Sequence, residues 1–314
     1  MNYALGIDLG GTNIKAGAVD KKGEIIYKTS IETEASNGYE SVLNNIEKAC
    51  GKVISKIGKP QAIGIGAPGV VDFKTGEVKY PPNLPGWEIV NLKKILEDKY
   101  GVAVTVENDA NAAAIGEFIY GAGKSGNFIM VTLGTGVGGG IFFGGKLFRG
   151  ETGGAGEIGH VTVEYKGRKC NCGSYGCVEA YLGNSKIVGD AKDKLNYENA
   201  PILLDLVEKN EAELTPKLLW LAAKQGDKFS IEFIAELAGK LGAALASAAN
   251  LLDISTIIIG GGVAGFGEFL FEPLRQTVKS RVLTPLKNRI KILPSELGNY
   301  AGIKGAASLV HYKE

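Results

Sequence analysis

Cysteine is scarce in this chain: there are four in 314 residues, three of them between positions 170 and 177. Histidine is scarcer still, at two, and neither sign of charge is in excess, with 35 Lys and Arg against 34 Asp and Glu. No uncharged apolar run reaches the roughly 18 residues that a membrane span needs. Each shortage excludes something. A near-neutral balance gives no electrostatic footprint for nucleic acid or for an anionic membrane, so the expected partner is a small molecule. The N-terminal MNYALGIDLGG lacks a basic segment, apolar run and cleavage site in succession, and the expected location is the cytoplasm. A reducing compartment disfavours stable disulfides, and Cys50 lies far from the other three in an apparent helix, so a disulfide framework is a poor reading. What remains, 45% hydrophobic and 22% charged residues, describes a globular chain long enough for two domains with substantial cores.

The clustered cysteines then need another explanation. In CNCGSYGC, with His160 upstream in GEIGHVTVEYKGRKCNCGSYGC, the set His160, Cys170, Cys172 and Cys177 has the composition of a closed Cys3His zinc shell. Gly173 and Gly176 permit the tight turns that would bring Cys172 and Cys177 onto one ion. Four protein ligands leave no position for water, so such a zinc is structural. The competing reading makes His160 a satisfied polar residue and the cysteines small buried hydrophobes.

Periodicity supplies the frame. Residues 3–8, 13–19 and 24–32 read as a three-stranded meander, 38–57 as a helix, 62–67 as a strand, 91–100 as a helix, 102–107 as a strand and 109–120 as a helix. The pattern restarts at NFIMVTLGTGVGGGIFFGGKLF, a diverged echo of residues 2–30. A long helix over 230–252, the strand STIIIGGG, a helix to about 283, the strand RIKIL and a last helix from about Ala301 follow. Two such units predict two α/β lobes with a cleft between them.

Each echo carries a glycine turn, Gly10, Gly11 and Thr12 in DLGGTNIK and Gly134, Thr135 and Gly136 in LGTGVGGG. Bare backbone amides beside hydroxyls can wrap phosphate oxygens; either turn alone reads first as a hairpin, and the recurrence of the turn in both units favours phosphate binding. Neither is a P-loop or a dinucleotide fingerprint. A third cluster, IIIGGGVAG with Gly261 and Gly262, would with GIKGAA at 302–307 let backbone approach a purine and ribose, or else serve close packing. In VENDANAAAIGE, Asp109 stands at a helix start, either as an N-cap or as a base facing a phosphoryl donor.

These stretches, DLGGTNIK, GIGAPGVVD, ENDANAAAIGE, LGTGVGGG and above all ExGH followed by CxCGxxGCxE (Glu157–His160 and Cys170–Glu179), resemble the ROK family of sugar kinases and related repressors over residues 3 to about 310. The resemblance implies a two-lobed actin-like (ribonuclease H-like) ATPase fold, each lobe a mixed sheet with flanking helices. It implies a small lobe of residues 1–115 joined by a C-terminal helix 301–314, and a larger lobe of 116–300 carrying a zinc-binding loop 157–179. Asp109 matches the base that takes the proton from the 6-hydroxyl of the sugar. Asn108, Glu157, His160 and Glu179 match sugar ligands, and Asn83 in PPNLPGW joins them. Asp8 lies by similarity near the Mg²⁺ of ATP, with Lys15, Thr12 and Thr135 in the nucleotide site. Glutamates on loops are otherwise ordinarily just solvated. One nitrogen of His160 can ligate zinc while the other meets a sugar hydroxyl.

Three functions follow: an ATP-dependent glucokinase; a kinase for another hexose or an N-acetylhexosamine; and a sugar-sensing repressor. The repressors carry a winged helix ahead of the first glycine turn, which here begins at Asp8. Neither a helix-turn-helix nor a basic patch favours that reading. The stretch AYLGNSKIVGDAKDKL departs from the family's glucokinases, and 196–216 reads as a variable helical insertion. The resemblance also implies a dimer or tetramer.

Overall fold

The structure, a computed structural model, describes residues 2–209 and 213–313. It divides into two compact units, one of Met1–Met130, Gly139–Gly156 and Ser295–Glu314, the other of Val131–Gly138 and Glu157–Pro294.

Unit 1 begins with the meander β1 (Ala4–Leu9), β2 (Asn13–Val19) and β3 (Ile25–Glu32), followed by α1 (Tyr39–Ile57) and β4 (Ala62–Ala67). Three strands of three residues each, β5 (Val70–Asp72), β6 (Glu77–Lys79) and β7 (Ile89–Asn91), form a separate small sheet too short to leave a periodic signal. Then come α2 (Leu92–Tyr100), β8 (Ala103–Asn108) and α3 (Asp109–Tyr120). The main sheet has the order β3-β2-β1-β4-β8, antiparallel through the meander and parallel from β1 to β4 to β8.

Strand alternation decides what each face of that sheet does. Leu5, Ile7 and Leu9 of β1 and Ile63 and Ile65 of β4 enter a core shared with Ile46 and Val53 of α1 and Leu92 and Leu96 of α2. Gly6, Asp8, Gly64 and Gly66 occupy the alternate positions. A Cβ at Gly6 or Gly64 would overlap the carbonyl oxygens of Ile303 or Ala306, so only glycine lets the last helix lie against this face.

The echo begins with β9 (Phe128–Leu133), β10 (Val137–Phe143) and β11 (Lys146–Phe148). Helices α4 (Glu179–Leu182), α5 (Asn184–Lys194), α6 (Pro201–Lys209), α7 (Pro216–Lys224) and α8 (Lys228–Leu252) follow. The chain closes with β12 (Thr256–Gly260), α9 (Glu268–Arg281), α10 (Thr284–Lys287), β13 (Lys291–Pro294) and α11 (Ala301–Ser308). The second sheet, β11-β10-β9-β12-β13, repeats the order of the first, a meander followed by two later strands. The fold is thus α/β, with two five-stranded sheets and flanking helices. The expected insertion at 196–216 contains α6 and reaches α7, while residues 210–212 lie outside the described residues.

A boundary at 115/116 does not describe the units. Helix α3 runs past it, and the buried Glu117 carboxylate accepts from Ala122 N (2.9 Å), Ser295 Oγ (2.5 Å) and Leu297 N (3.0 Å). A buried carboxylate needs such donors, which keeps the helix end with residues 295–297 in unit 1. Among the described residues no helix is long and apolar enough to cross a membrane.

Candidate active site

In unit 1 the parallel strands β1, β4 and β8 end near Asp8, Gly66 and Asn108. Asn108, in extended backbone, caps α3: its Oδ1 accepts from Ala110 N (2.9 Å) and Asn111 N (3.1 Å). Its Nδ2 donates to Gly69 O at 3.0 Å, leaving one amide hydrogen for a ligand. The cap is therefore Asn108, and Asp109 is the first helical residue. Asp109 Oδ1 accepts from Ala110 N at 2.8 Å. The Asp109 backbone packs on β4, where a Cβ at Gly66 would stand 3.3 Å from its Cα.

Asp8 lies on the same sheet face as Gly66, opposite Lys15 in the β1–β2 register, with Lys15 Nζ 3.8 Å from its carboxylate. Burial pushes the Asp8 carboxyl above its ordinary range, and Lys15 pulls it partly back. A Cβ at Gly302 would overlap this carboxylate, and one at Gly305 would overlap Ala112 O. Gly302 and Gly305 of GIKGAA thus allow close helix packing. In the turn itself, Gly10 N donates to Asn13 O (3.1 Å), while Thr33 donates through Oγ1 to Gly10 O (2.6 Å) and through N to Thr12 O (2.9 Å). Thr12 is exposed, as is Asn83, whose Cβ would be 3.0 Å from a Cβ on Gly11.

In unit 2 the turn of Gly134, Thr135 and Gly136 closes through Gly134 N to Gly136 O (3.0 Å), and Gly134 O accepts from Asn184 N (3.0 Å) at the start of α5. Glu179, opening α4, accepts from Val137 N through Oε2 at 2.9 Å, and a Cβ on Gly136 would overlap that oxygen. Gly261 has φ +88°, and a Cβ there would overlap Leu133 O; a Cβ on Gly262 would meet nothing within 4 Å.

The four expected metal ligands come together. The nearest donor atoms of His160, Cys170, Cys172 and Cys177 all lie within 4.8 Å of one another. Cys170 Sγ is 3.8 Å from His160 Nδ1, and Cys172 Sγ is 3.7 Å from Cys177 Sγ. A tetrahedral zinc with Zn–S of about 2.3 Å has sulfur–sulfur edges of about 3.8 Å, so the donor set fits that ion. Gly173 (φ +93°) and Gly176 (φ +68°) take the left-handed turns this loop requires. Burial and the neighbouring sulfurs push the Cys177 thiol up to about 12, whereas a backbone hydrogen bond from Ser174 draws Cys172 down. A cation at the centre would reverse the penalty on Cys177. His160 Nε2 faces the other way, 3.9 Å from Glu157 Oε2. Burial raises the Glu157 carboxyl, His160 opposes the rise and Glu179 adds to it.

The candidate residues therefore fall into two sets. Asp8, Gly10, Gly11, Thr12, Lys15, Asn83, Asn108 and Asp109 belong to unit 1, and Gly134, Thr135, Gly136, Glu157, His160, the three cysteines, Glu179, Gly261 and Gly262 to unit 2. Sequence reasoning gave no role to Glu107 or Arg149, which form a buried ion pair at 2.7 Å next to Asn108. A lone arginine 42 positions away leaves no local pattern to read.

Comparison with known proteins shows the family. The family model described as "ROK family" matches residues 4–313. A glucokinase of Streptomyces coelicolor is 38% identical, with 98% of each chain covered. A ROK family glucokinase from Streptomyces griseus, solved in complex with glucose and AMPPNP, is 39% identical with a TM-score of 0.88, over 98% of this chain and 99% of that one. A xylose repressor of Caldicellulosiruptor bescii is 33% identical over 98% of this chain and 77% of its own length. This chain belongs to the ROK family.

Proposed function

We propose that the protein transfers the γ-phosphoryl group of ATP, as its Mg²⁺ complex, to the 6-hydroxyl of glucose. That it is a sugar phosphotransferase follows from its family and from the glucokinases it resembles. The observation that carries the mechanism is Asp109, held at the first position of α3 at the end of a parallel strand and on the sheet face that bears Asp8. Asp109 accepts the hydroxyl proton as the oxygen attacks phosphorus, and ADP leaves. Asn108 offers its remaining amide hydrogen to the sugar, with Asn83, Glu157, His160 Nε2 and Glu179 as further hydroxyl partners. The two glycine turns, with Thr12, Lys15 and Thr135, bind phosphate, and Gly261 and Gly262 border the adenosine. Asp8 would lie beside the Mg²⁺ that accompanies ATP, which when bound would neutralise phosphate charge. His160, Cys170, Cys172 and Cys177 would hold a structural zinc, and ligation through Nδ1 would leave His160 Nε2 oriented toward Glu157.

A coupled ADP-release assay over hexoses, hexosamines and their N-acetyl forms tests this reading. The expected result is the highest kcat/KM on glucose; preference for another sugar would move the specificity, and sugar-dependent DNA binding without turnover would favour a repressor. Asp109→Ala should lower kcat by about 10²- to 10⁴-fold while metal content and folding stay near the parent's. Turnover within a few-fold of the parent would reject Asp109 as the base.

A further inference from the structure

Glu107 is a carboxylate the proposed reaction does not use, yet it is only 2% exposed and adjoins the residues that do. Its Oε1 accepts from Asn108 N at 2.9 Å and from Asn111 Nδ2 at 3.1 Å, and its Oε2 accepts from Arg149 Nε at 2.7 Å. The Arg149 guanidinium also lies over the Phe73 ring, 4.2 Å from its centroid. Phe73 follows β5, and Gly69, just before β5, supplies the carbonyl that holds Asn108 Nδ2. Asn108 is thus braced on its backbone by Glu107 and on its side chain by segment 69–73, and Arg149 touches both braces. An ion pair this buried carries a desolvation penalty that an apolar pair would avoid, so closing the end of β8 alone does not account for it.

We infer that Arg149 is a positioning residue: by fixing the Glu107 carboxylate and Phe73 it holds the Glu107–Asn108 peptide, and with it Asp109, in the orientation that phosphoryl transfer requires. The consequence for turnover rests on the proposed role of Asp109; the bracing itself does not. A base displaced by about 1 Å loses on the order of 10²-fold in rate without any loss of nucleotide affinity.

The test compares Arg149→Met and Arg149→Lys in the full chain, reading kcat, the KM for glucose and for ATP, melting temperature and amide hydrogen exchange over residues 108–112. The expected result for Arg149→Met is a kcat lowered on the order of 10²-fold, an ATP KM within about twofold of the parent's, and faster exchange confined to residues 108–112. Arg149→Lys, which restores the charge, should recover part of both losses. If the Met variant does not fold, Glu107→Gln serves instead. Its side-chain oxygen still accepts from Asn108 N, and it should show a smaller loss of kcat with the same local exchange signature. Unchanged exchange over 108–112 in a folded variant, or a fall in melting temperature with kcat intact, would overturn the inference. Faster exchange in a protein whose parent phosphorylates no sugar would support the brace and sink the proposed function instead.

Discussion

The two glycine turns began as one pattern, strand, glycines, strand, yet their surroundings are furnished differently. At the first turn the acid comes from the strand itself: Asp8 sits in β1, paired across the hairpin with Lys15. At the second it is imported: Glu179, 42 residues beyond Val137, reaches back to the amide that opens β10. The repeated topology supplies the same backbone device twice. It does not dictate which residue brings charge to it, and the imported carboxylate ties the turn to the end of the cysteine loop.

The sharpest way to break this comparison is to remove the imported acid. Glu179→Ala leaves the N–H of Val137, a residue 3% exposed, without its acceptor, at a cost of about 1–3 kcal/mol, and also deletes a proposed sugar ligand. The expected loss in kcat/KM is on the order of 10²-fold, with the KM values for glucose and ATP both raised. Glu179→Gln keeps an oxygen for Val137 N and should raise the glucose KM more than the ATP KM. Steady-state kinetics with each substrate varied checks this. An Ala variant that changes the glucose KM alone would show that the link between loop and turn carries no function.

A smaller effect separates the turns by steric fit. A Cβ on Gly136 would overlap Glu179 Oε2, one on Gly11 would meet the exposed Asn83 at 3.0 Å, and one on Gly134 would meet nothing within 4 Å. Gly136→Ala should therefore raise the ATP KM by about tenfold, from the 1–3 kcal/mol typical of overpacking. Gly11→Ala should cost less, since Asn83 can yield, and Gly134→Ala should be near neutral. Equal effects at 134 and 136 would mean that the glycines answer to a bound ligand rather than to Glu179.

The same contrast explains what could be read from the chain beforehand. The meander, the echo and the later strands at 62–67 and 102–107 were legible because alternation and turn residues are local, and the cluster of metal-ligand residues because His160 and three cysteines lie within 18 residues. Asp109 was legible as a helix start, but the cap fell to Asn108, because both types cap well and only the extended backbone of Asn108 distinguishes them. The small sheet β5-β6-β7, the end of unit 1 beyond residue 115, and the Glu107–Arg149 pair were not legible. Each depends on contacts between distant positions: three-residue strands have no period, and Glu117 declares its place only through residues 295–297.

The smallest expected effect has the opposite sign to that of Glu179. Burial raises the Asp8 carboxyl above its ordinary 3.8, and its partner Lys15 is half-exposed and 3.8 Å away, so the folded chain binds the Asp8 proton more tightly than the unfolded chain does. Such a group favours folding fully below pH 3.8 and loses that contribution as pH rises through its folded pKa; at neutral pH its charge opposes the fold. Asp8→Asn should accordingly raise the melting temperature at pH 7 by about 1–3 °C, a gain that shrinks as pH falls toward 3.8. It should also reduce phosphoryl transfer, as expected of an acid kept for function at the expense of stability. Calorimetry of parent and variant across that pH range checks the sign. A variant less stable than the parent at pH 7 would mean that Asp8, like Glu179, is part of what holds its turn together.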